Sequence, residues 1–457
     1  MPAFSTINTN GKERYMASSD QLADDPEFPA RSASGPVIGP SKPRLLGILG
    51  PGLITGASDD DPSGIATYSQ VGAQVGFSSL WLMLFSYPLM AVTQEISARI
   101  GRTTGRGLAG NLRRHYAPWI GISCILLLLV ANIINLGADL GAMGDAAATV
   151  IGGPRAAYVV GFGVLCITLQ VLIQYARYVS VLKWMSLALF AYFGTMLMVK
   201  IPWNAVAWGL LVPTFSISKD YISIAVAVLG TTISPYLFFW QSSQEAEDQR
   251  EQPQRDPLLV APQQAPNAFA RIRLDTYIGM AFSNLVALAI IITTAATLHA
   301  HGTTDVDTAQ QAADALKPVA GDFAFLVFAL GIIGTGLLAV PVLAGSAAYA
   351  IGEALRWEVG LARKPMEAKA FYGTLVLATI LGTILNFLPV DPIKALYWSA
   401  VINGVTVAPI IVLMMMMASS RRVMGDFTVS LPLKLLGWLC ATVMGLCVAG
   451  LAATMVM

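Results

Sequence analysis

The sequence predicts an all-α polytopic membrane protein of about eleven spans, arranged as an inverted five-plus-five repeat whose first and sixth spans are broken. Three observations carry this expectation. Of the 457 residues, 55% are hydrophobic and only 12% charged, and the mean hydropathy is +0.63; a soluble domain has about a quarter of its residues charged. Apolar runs of about 18 residues or more, enough to cross a hydrocarbon core of about 30 Å, recur from end to end. Two of these runs are interrupted at mid-depth, at matching places in the two halves, as in transporters built from inverted repeats.

Residues 1–43 mix Ser, Pro, Asp and Arg without the apolar stretch of a signal peptide, so a disordered cytosolic tail is expected. Residues 44–241 hold the first repeat and the sixth span, with apolar runs centred near 53, 88, 130, 165, 190 and 232. The stretch 242–270, "SSQEAEDQREQPQRDPLLVAPQQAPNAFA", is polar and proline-bearing and reads as a cytosolic linker. Residues 271–457 supply spans seven to eleven, near 285, 335, 378, 405 and 443.

The net charge of +1 is uninformative; its distribution between loops is not. The loop "ARIGRTTGRGLAGNLRRHY" and the pair Arg421 and Arg422 are basic, whereas the 299–320 loop sets Asp305, Asp307 and Asp314 against Lys317. This asymmetry predicts an integral protein of the plasma (inner) membrane with a cytosolic N-terminus and an extracytoplasmic C-terminus. The lipid bilayer is then its surroundings, and no nucleic acid or obligate protein partner is expected. Cys124, Cys166, Cys440 and Cys447 all lie in apolar runs and read as reduced packing residues.

The first span reads "LLGILGPGLITGASDDDPSGIATYSQVGAQVGF". Gly52, Gly56, Pro62 and Gly64 surround Asp59, Asp60 and Asp61, so the helix is expected to break there and free its carbonyls. Carboxylates and free carbonyls together suit a cation, and an acid inside the bilayer marks function by default. A wet loop outside the membrane is the bland alternative; against it, the flanking segments are each too short to span and together make one span. The sixth run, "ISIAVAVLGTTISPYLFFWQSSQE", is interrupted by Gly230, Thr231, Thr232, Ser234 and Pro235.

The stretch from "GPGLITGASDDDPSGIATYSQVGAQVGF" through "GRTTGRGLA" resembles the first two spans of the NRAMP (SLC11) divalent-metal transporters, whose hallmark is DPGN followed by IAT and a GAQ-G-F/Y segment. That resemblance implies the LeuT-like fold of the amino-acid/polyamine/cation superfamily, with a metal held between the broken spans. It places the metal-binding Asp at Asp61, and Gly64 where the family has Asn. "TTISPY" puts Thr231 at the family's Ala carbonyl, Ser234 at its metal-binding Met and Tyr236 at its His. These departures are similar to the NRAMP-related magnesium transporter branch.

The implied ligand set is Asp61 directly, Asp60 and Asp59 directly or through water, carbonyls near Ser58 and Thr231, and Asn403 from the tenth span. With Met replaced by Ser234 the soft ligand is lost, and Gly64 and Ser234 are expected to enlarge the pocket enough for a hydrated ion. In the family's proton relay, "NLGADLGAMGD" places Leu136 at one acid and Asp139 at the other. His115, His299 and His301 sit near span ends or in loops. The reading is therefore a transporter rather than an enzyme, without cofactor, carrying Mg2+ and Mn2+ and uncoupled from protons. A proton-coupled Mn2+/Fe2+ symporter, and an organic-solute carrier of the same fold, are the alternatives. Glu95 and Glu353 read as interfacial caps or snorkelling residues, and the run Met414–Met417 as packing.

Overall fold

The computed structural model describes residues 51–173, 189–215, 218–252, 254–306, 308–389 and 391–456. The expected N-terminal tail, and much of the run expected as the fifth span, lie outside the described residues. Within them every regular element is helical.

We number the main helices α1 (Pro51–Asp59), α2 (Pro62–Val75), α3 (Leu80–Thr104), α4 (Leu108–His115), α5 (Pro118–Ile151), α6 (Arg155–Leu172), α7 (Phe190–Met198), α8 (Trp203–Leu211), α9 (Lys219–Thr232), α10 (Pro235–Glu251), α11 (Ala265–Thr297), α12 (Ala324–Leu355), α13 (Lys369–Leu385), α14 (Pro392–Ser419) and α15 (Leu431–Val456). Among the described residues, eight stretches are long and apolar enough to cross a membrane. The eleven expected runs differ from these eight for three reasons. α2 and α3 follow one another through a single 3-10 turn and count as one stretch, with α1 too short to count; α13 is 17 residues; and only the end of the fifth run is described.

Both breaks occur where the sequence places proline after a polar residue. α1 stops at Asp59 and α2 restarts with Pro62, while α9 stops at Thr232 and α10 restarts with Pro235. Proline at the first helical position lacks an N–H that would be unpaired there in any case. The four half-helices form the middle of the bundle: α2 packs on α9 and α14, and α1 on α10. α11 backs both α1 and α2, and α5 packs on α12, α13 and α14. α1 approaches the α11 backbone closely at Gly56, where a Cβ would stand 2.3 Å from the backbone of Gly279, and a Cβ on Gly52 would stand 2.7 Å from Thr276 Oγ1. The Gly52 N–H donates to Asp275 Oδ2 at 2.8 Å.

The described residues of 242–270 are held by specific bonds. Their ends belong to α10 and α11, and the turn between them is pinned to the end of α3. Leu258 and Leu259 donate their N–H groups to Arg102 O and Thr103 O at 3.4 and 3.3 Å, and the Arg102 guanidinium donates to Asp256 O at 2.5 Å and Gln264 Oε1 at 2.7 Å. Buried Leu258 packs with Ala265 and Ala268.

Glu95 and Glu353 do not snorkel. Glu95 is buried and pairs with Arg99 at 2.6 Å and Arg273 at 3.6 Å. Glu353 accepts from Ser243 Oγ at 2.7 Å and from Gly110 N at 2.9 Å, so it ties α12 to α10 and α4. Met414, Met415 and Met417 are buried and Met416 exposed, the fan that consecutive helical residues make.

Candidate functional site

The junction of α1 and α2 begins from local chemistry. Asp61 is extended (φ −72°, ψ 170°) and caps α2, its Oδ1 accepting Gly64 N at 2.7 Å and Ser63 Oγ at 2.8 Å. An N-cap carboxylate satisfies amide donors the helix cannot, and the positive end of the helix dipole favours its charge. Its Oδ2 faces away from the cap: Asn135 of α5 donates to it at 2.9 Å, and the Tyr236 hydroxyl of α10 lies 3.4 Å off. Tyr236 also donates to Ser58 O at 3.2 Å, so the last turn of α1 is joined to the first turn of α10.

Asp59 and Asp60 turn elsewhere. Both face α11, where the Ser283 hydroxyl is 2.6 Å from Asp59 Oδ2 and 3.1 Å from Asp60 Oδ1. All three aspartates are at most 2% exposed. The bland alternative of a wet surface loop is therefore excluded by burial. The run of three acids does not form one cage, however: among the described residues no three carboxylate, imidazole or thiol groups converge. Successive residues of a helix end point in different directions, which here sends Asp61 toward α5 and its neighbours toward α11.

Further oxygens complete the surroundings. Asp139 stands against the backbone of Ser63. Asn135 Nδ2 approaches Asp139 Oδ2 at 3.5 Å, and Asn403 Nδ2 approaches Asn135 Oδ1 at 3.5 Å, so α14 reaches the same cluster. Ser58 Oγ, Asp59 Oδ1, Asp60 Oδ2, Asp139 Oδ1 and Asn403 Oδ1 are buried without a hydrogen-bond partner among the described residues. Buried polar atoms are normally paired, and a gathering of unpaired oxygens at a double helix break has the chemistry of a hard-cation site.

Ser234 closes the second break on itself, donating its hydroxyl to Gly230 O at 3.0 Å and Thr231 O at 2.9 Å. The Thr231 carbonyl thus keeps one lone pair for another partner. The surroundings of Gly64 are close rather than open. A Cβ there would meet Thr231 Oγ1 at 3.2 Å, Tyr68 Cε2 at 3.4 Å and Asp59 O at 3.5 Å, so the threonine and tyrosine side chains line the place of the missing side chain.

Asn135, Ser283 and Tyr68 belong to this cluster and were not singled out in the sequence. Asn135 was findable: Asn132, Asn135 and Asp139 recur at spacings of three and four in an apolar helix and therefore share one face. Asn132 uses that face to donate to Leu343 O at 3.0 Å and Ser346 Oγ at 2.7 Å. The three histidines stay away from the cluster: His115 ends α4, and His299 and His301 follow α11, with His299 Nδ1 2.7 Å from Ala73 O.

Residues 52–454 match the family profile described as natural resistance-associated macrophage protein-like, Nramp. The chain is similar to the divalent metal cation transporter MntH of Klebsiella pneumoniae, 23% identical over 400 residues, covering 86% of this chain and 90% of that protein. It is similar to MntH of Yersinia enterocolitica, 25% identical over 302 residues, covering 65% and 70%. Among solved structures, a manganese transporter of Eremococcus coleocola superposes with a TM-score of 0.71 at 19% identity, covering 92% of this chain and 89% of that one. MhsT in complex with L-phenylalanine superposes with a TM-score of 0.56 at 13% identity, covering 90% and 98%.

Proposed function

The chain belongs to the natural resistance-associated macrophage protein-like (Nramp) family, and from that premise we propose that it carries divalent metal cations across the membrane, Mg2+ and Mn2+ by preference, without moving protons. The fold is LeuT-like, and the relatives are metal transporters, not enzymes. The finer reading concerns which ion, and one observation carries it: the buried donors left without a partner at the double break, Ser58 Oγ, Asp59 Oδ1, Asp60 Oδ2, Asp139 Oδ1 and Asn403 Oδ1, are oxygens. Ser234 stands where the resemblance implies a methionine sulfur, and its hydroxyl is turned onto its own helix. Thioether ligands select softer metals, whereas carboxylate, carbonyl and amide oxygens suit magnesium and manganese.

In this reading Asp61 touches the ion through Oδ2. Asp60 and Asp59 act directly or through water. The Ser58 and Thr231 carbonyls and Asn403 contribute neutral oxygens, and Gly64 and Ser234 shape the break. We add Asn135 and Asp139, which lie on the same side of Asp61. The absence of proton coupling is supported by Tyr236 at the position of the family's histidine and Leu136 at one relay acid, since neither exchanges protons readily near neutral pH. The basic residues of the 98–116 stretch and the pair Arg421 and Arg422 support a cytosolic N-terminus in a plasma (inner) membrane. A proton-coupled manganese symporter is the second reading, favoured by the names of the relatives.

Proteoliposome uptake of Mg2+, Mn2+, Ca2+ and Cd2+ with an internal pH dye separates the two. Magnesium uptake at constant internal pH is expected; metal-dependent acidification above empty vesicles, with Mg2+ excluded, would overturn the proposal.

A further inference from the structure

Tyr68 lies four residues beyond Gly64, so the two share one face of α2, the helix that Asp61 caps. Side chains of a helix lean toward its N-terminus, so the Tyr68 ring runs back along that face toward the break. The contacts agree. Tyr68 Cε2, Thr231 Oγ1 of α9 and the carbonyl of Asp59 at the end of α1 converge on the place of a Gly64 Cβ, at 3.4, 3.2 and 3.5 Å. A glycine at 64 lets the ring edge lie against the helix there.

The hydroxyl at the end of this ring is left over. Tyr68 is 0% exposed, and its Oη is buried without a hydrogen-bond partner among the described residues; the Thr231 hydroxyl beside it is not in bonding geometry. A buried tyrosine hydroxyl ordinarily finds a partner, because leaving it unpaired is destabilising. Tyr236, on the other side of the breaks, does find one in Ser58 O at 3.2 Å. An unpaired oxygen held rigidly beside the break that carries Asp59, Asp60 and Asp61 suits the outside of a hydrated cation. Water bound to a dication turns its oxygen to the metal and its hydrogens outward, so the next layer must consist of acceptors. The demand is strongest for Mg2+, which dehydrates reluctantly and keeps several waters.

Resting on the reading of the double break as a divalent-cation site, we propose that the Tyr68 hydroxyl accepts a hydrogen bond from a water carried by the bound ion, and so positions the hydration shell on the α2 side of the break. The carboxylates answer the ion's charge, and the phenol answers its water. Tyr68 is then a positioning residue that acts through water and favours the ion that keeps its shell. Phenylalanine in its place would preserve the ring against Gly64 and remove the acceptor alone.

The test uses the full chain and hexaamminecobalt(III), whose ligands do not exchange, so that it can be held only through its outward N–H groups. Its half-saturating concentration is read from the rise in melting temperature in detergent. That concentration is expected to be about tenfold higher in Y68F than in the native protein, the size of one hydrogen bond to a charged group. Without the complex, the melting temperature of Y68F should equal or exceed the native value, because the variant loses only an unpaired hydroxyl. In proteoliposomes Y68F should raise the KM for Mg2+ by about tenfold and that for Mn2+ by less. Equal half-saturation in the two proteins overturns the proposal, and so does a ligand-free melting temperature that falls in Y68F, the mark of a structural hydroxyl. Failure of the native protein to take up Mg2+ would overturn the functional reading instead, and the hexaammine comparison would still decide this one.

Discussion

Replacement of Asp61 separates its two structural roles, because its two carboxylate oxygens do different work. Oδ1 caps α2 through Gly64 N and Ser63 Oγ, and Oδ2 meets Asn135 and Tyr236. In Asp61→Asn the amide oxygen keeps the cap, and Asn135 can flip its own amide to accept from the new NH2 group; it gives up two long contacts of 3.5 Å, with Asn403 and with Asp139. The expected stability loss is under ~1 kcal/mol. Asp61→Ala loses the cap, ~1 kcal/mol, and leaves the buried Asn135 donor unpaired, ~1–3 kcal/mol, for a total of about 2–4 kcal/mol. Transport responds differently. Unit charges 4 Å apart attract by about 4 kcal/mol at an effective dielectric of about 20, and a dication doubles this. Desolvation consumes about half or more, which leaves about 3–4 kcal/mol, or several hundredfold in ion affinity. Uptake should therefore fall by more than about a hundredfold in both variants, whereas the melting temperature in detergent should fall clearly only in the Ala variant. Native-rate uptake by Asp61→Asn, or equal melting points for Ala and Asn, would refute the reasoning.

Three further outcomes are expected. Ser234→Met introduces a soft ligand and removes the hydroxyl bonded to Gly230 O and Thr231 O, so competition assays should show Cd2+ and Mn2+ gaining on Mg2+ by about tenfold or more; an unchanged order would count against the oxygen-donor account. Gly56→Ala places a methyl 2.3 Å from the Gly279 backbone, so α1 must leave α11 at a cost of about 1–3 kcal/mol, read as a lowered melting temperature and slowed uptake. Protonation of His115 is disfavoured in the folded chain, its pKa being about 4 against 6.5. The unfolded chain then binds more protons between these values, so stability should fall on acidification from about 6.5 toward 4, and His115→Gln should flatten that slope in a pH-melting series.

The outline of the fold was legible because its signals are local. Pro62 after Asp61 and Pro235 after Ser234 state where helices restart, and the apolar runs state where they cross. The candidate site was only half legible. Asp59, Asp60 and Asp61 announce themselves as charges in an apolar segment. Their directions do not: whether an acid faces α5 or α11 depends on where the helix stops, to a fraction of a turn. Ser283 contacts residues more than two hundred positions away, and a lone serine in an apolar helix is ordinarily occupied with its own preceding turn. Gly64 was illegible in a similar way. A deleted side chain reads as space only until the neighbours are known, and here Thr231 and Tyr68 stand at its border. The fastening of the 242–270 stretch was not legible by composition, since Asp256 O and Gln264 bond to Arg102 at the end of α3.

The close approach of α1 to α11 at Gly56 has a mechanical consequence. Where Gly56 lies on the Gly279 backbone there are no teeth to disengage, so α1 can tilt or slide there without any rotamer having to turn over. Resistance to that motion is then concentrated in a few polar clasps, Gly52 N to Asp275 at one end and the aspartates on Ser283 at the other. A low-friction surface held by clasps of this kind makes a latch, in which release is abrupt and is governed by whatever competes for the oxygens at its ends.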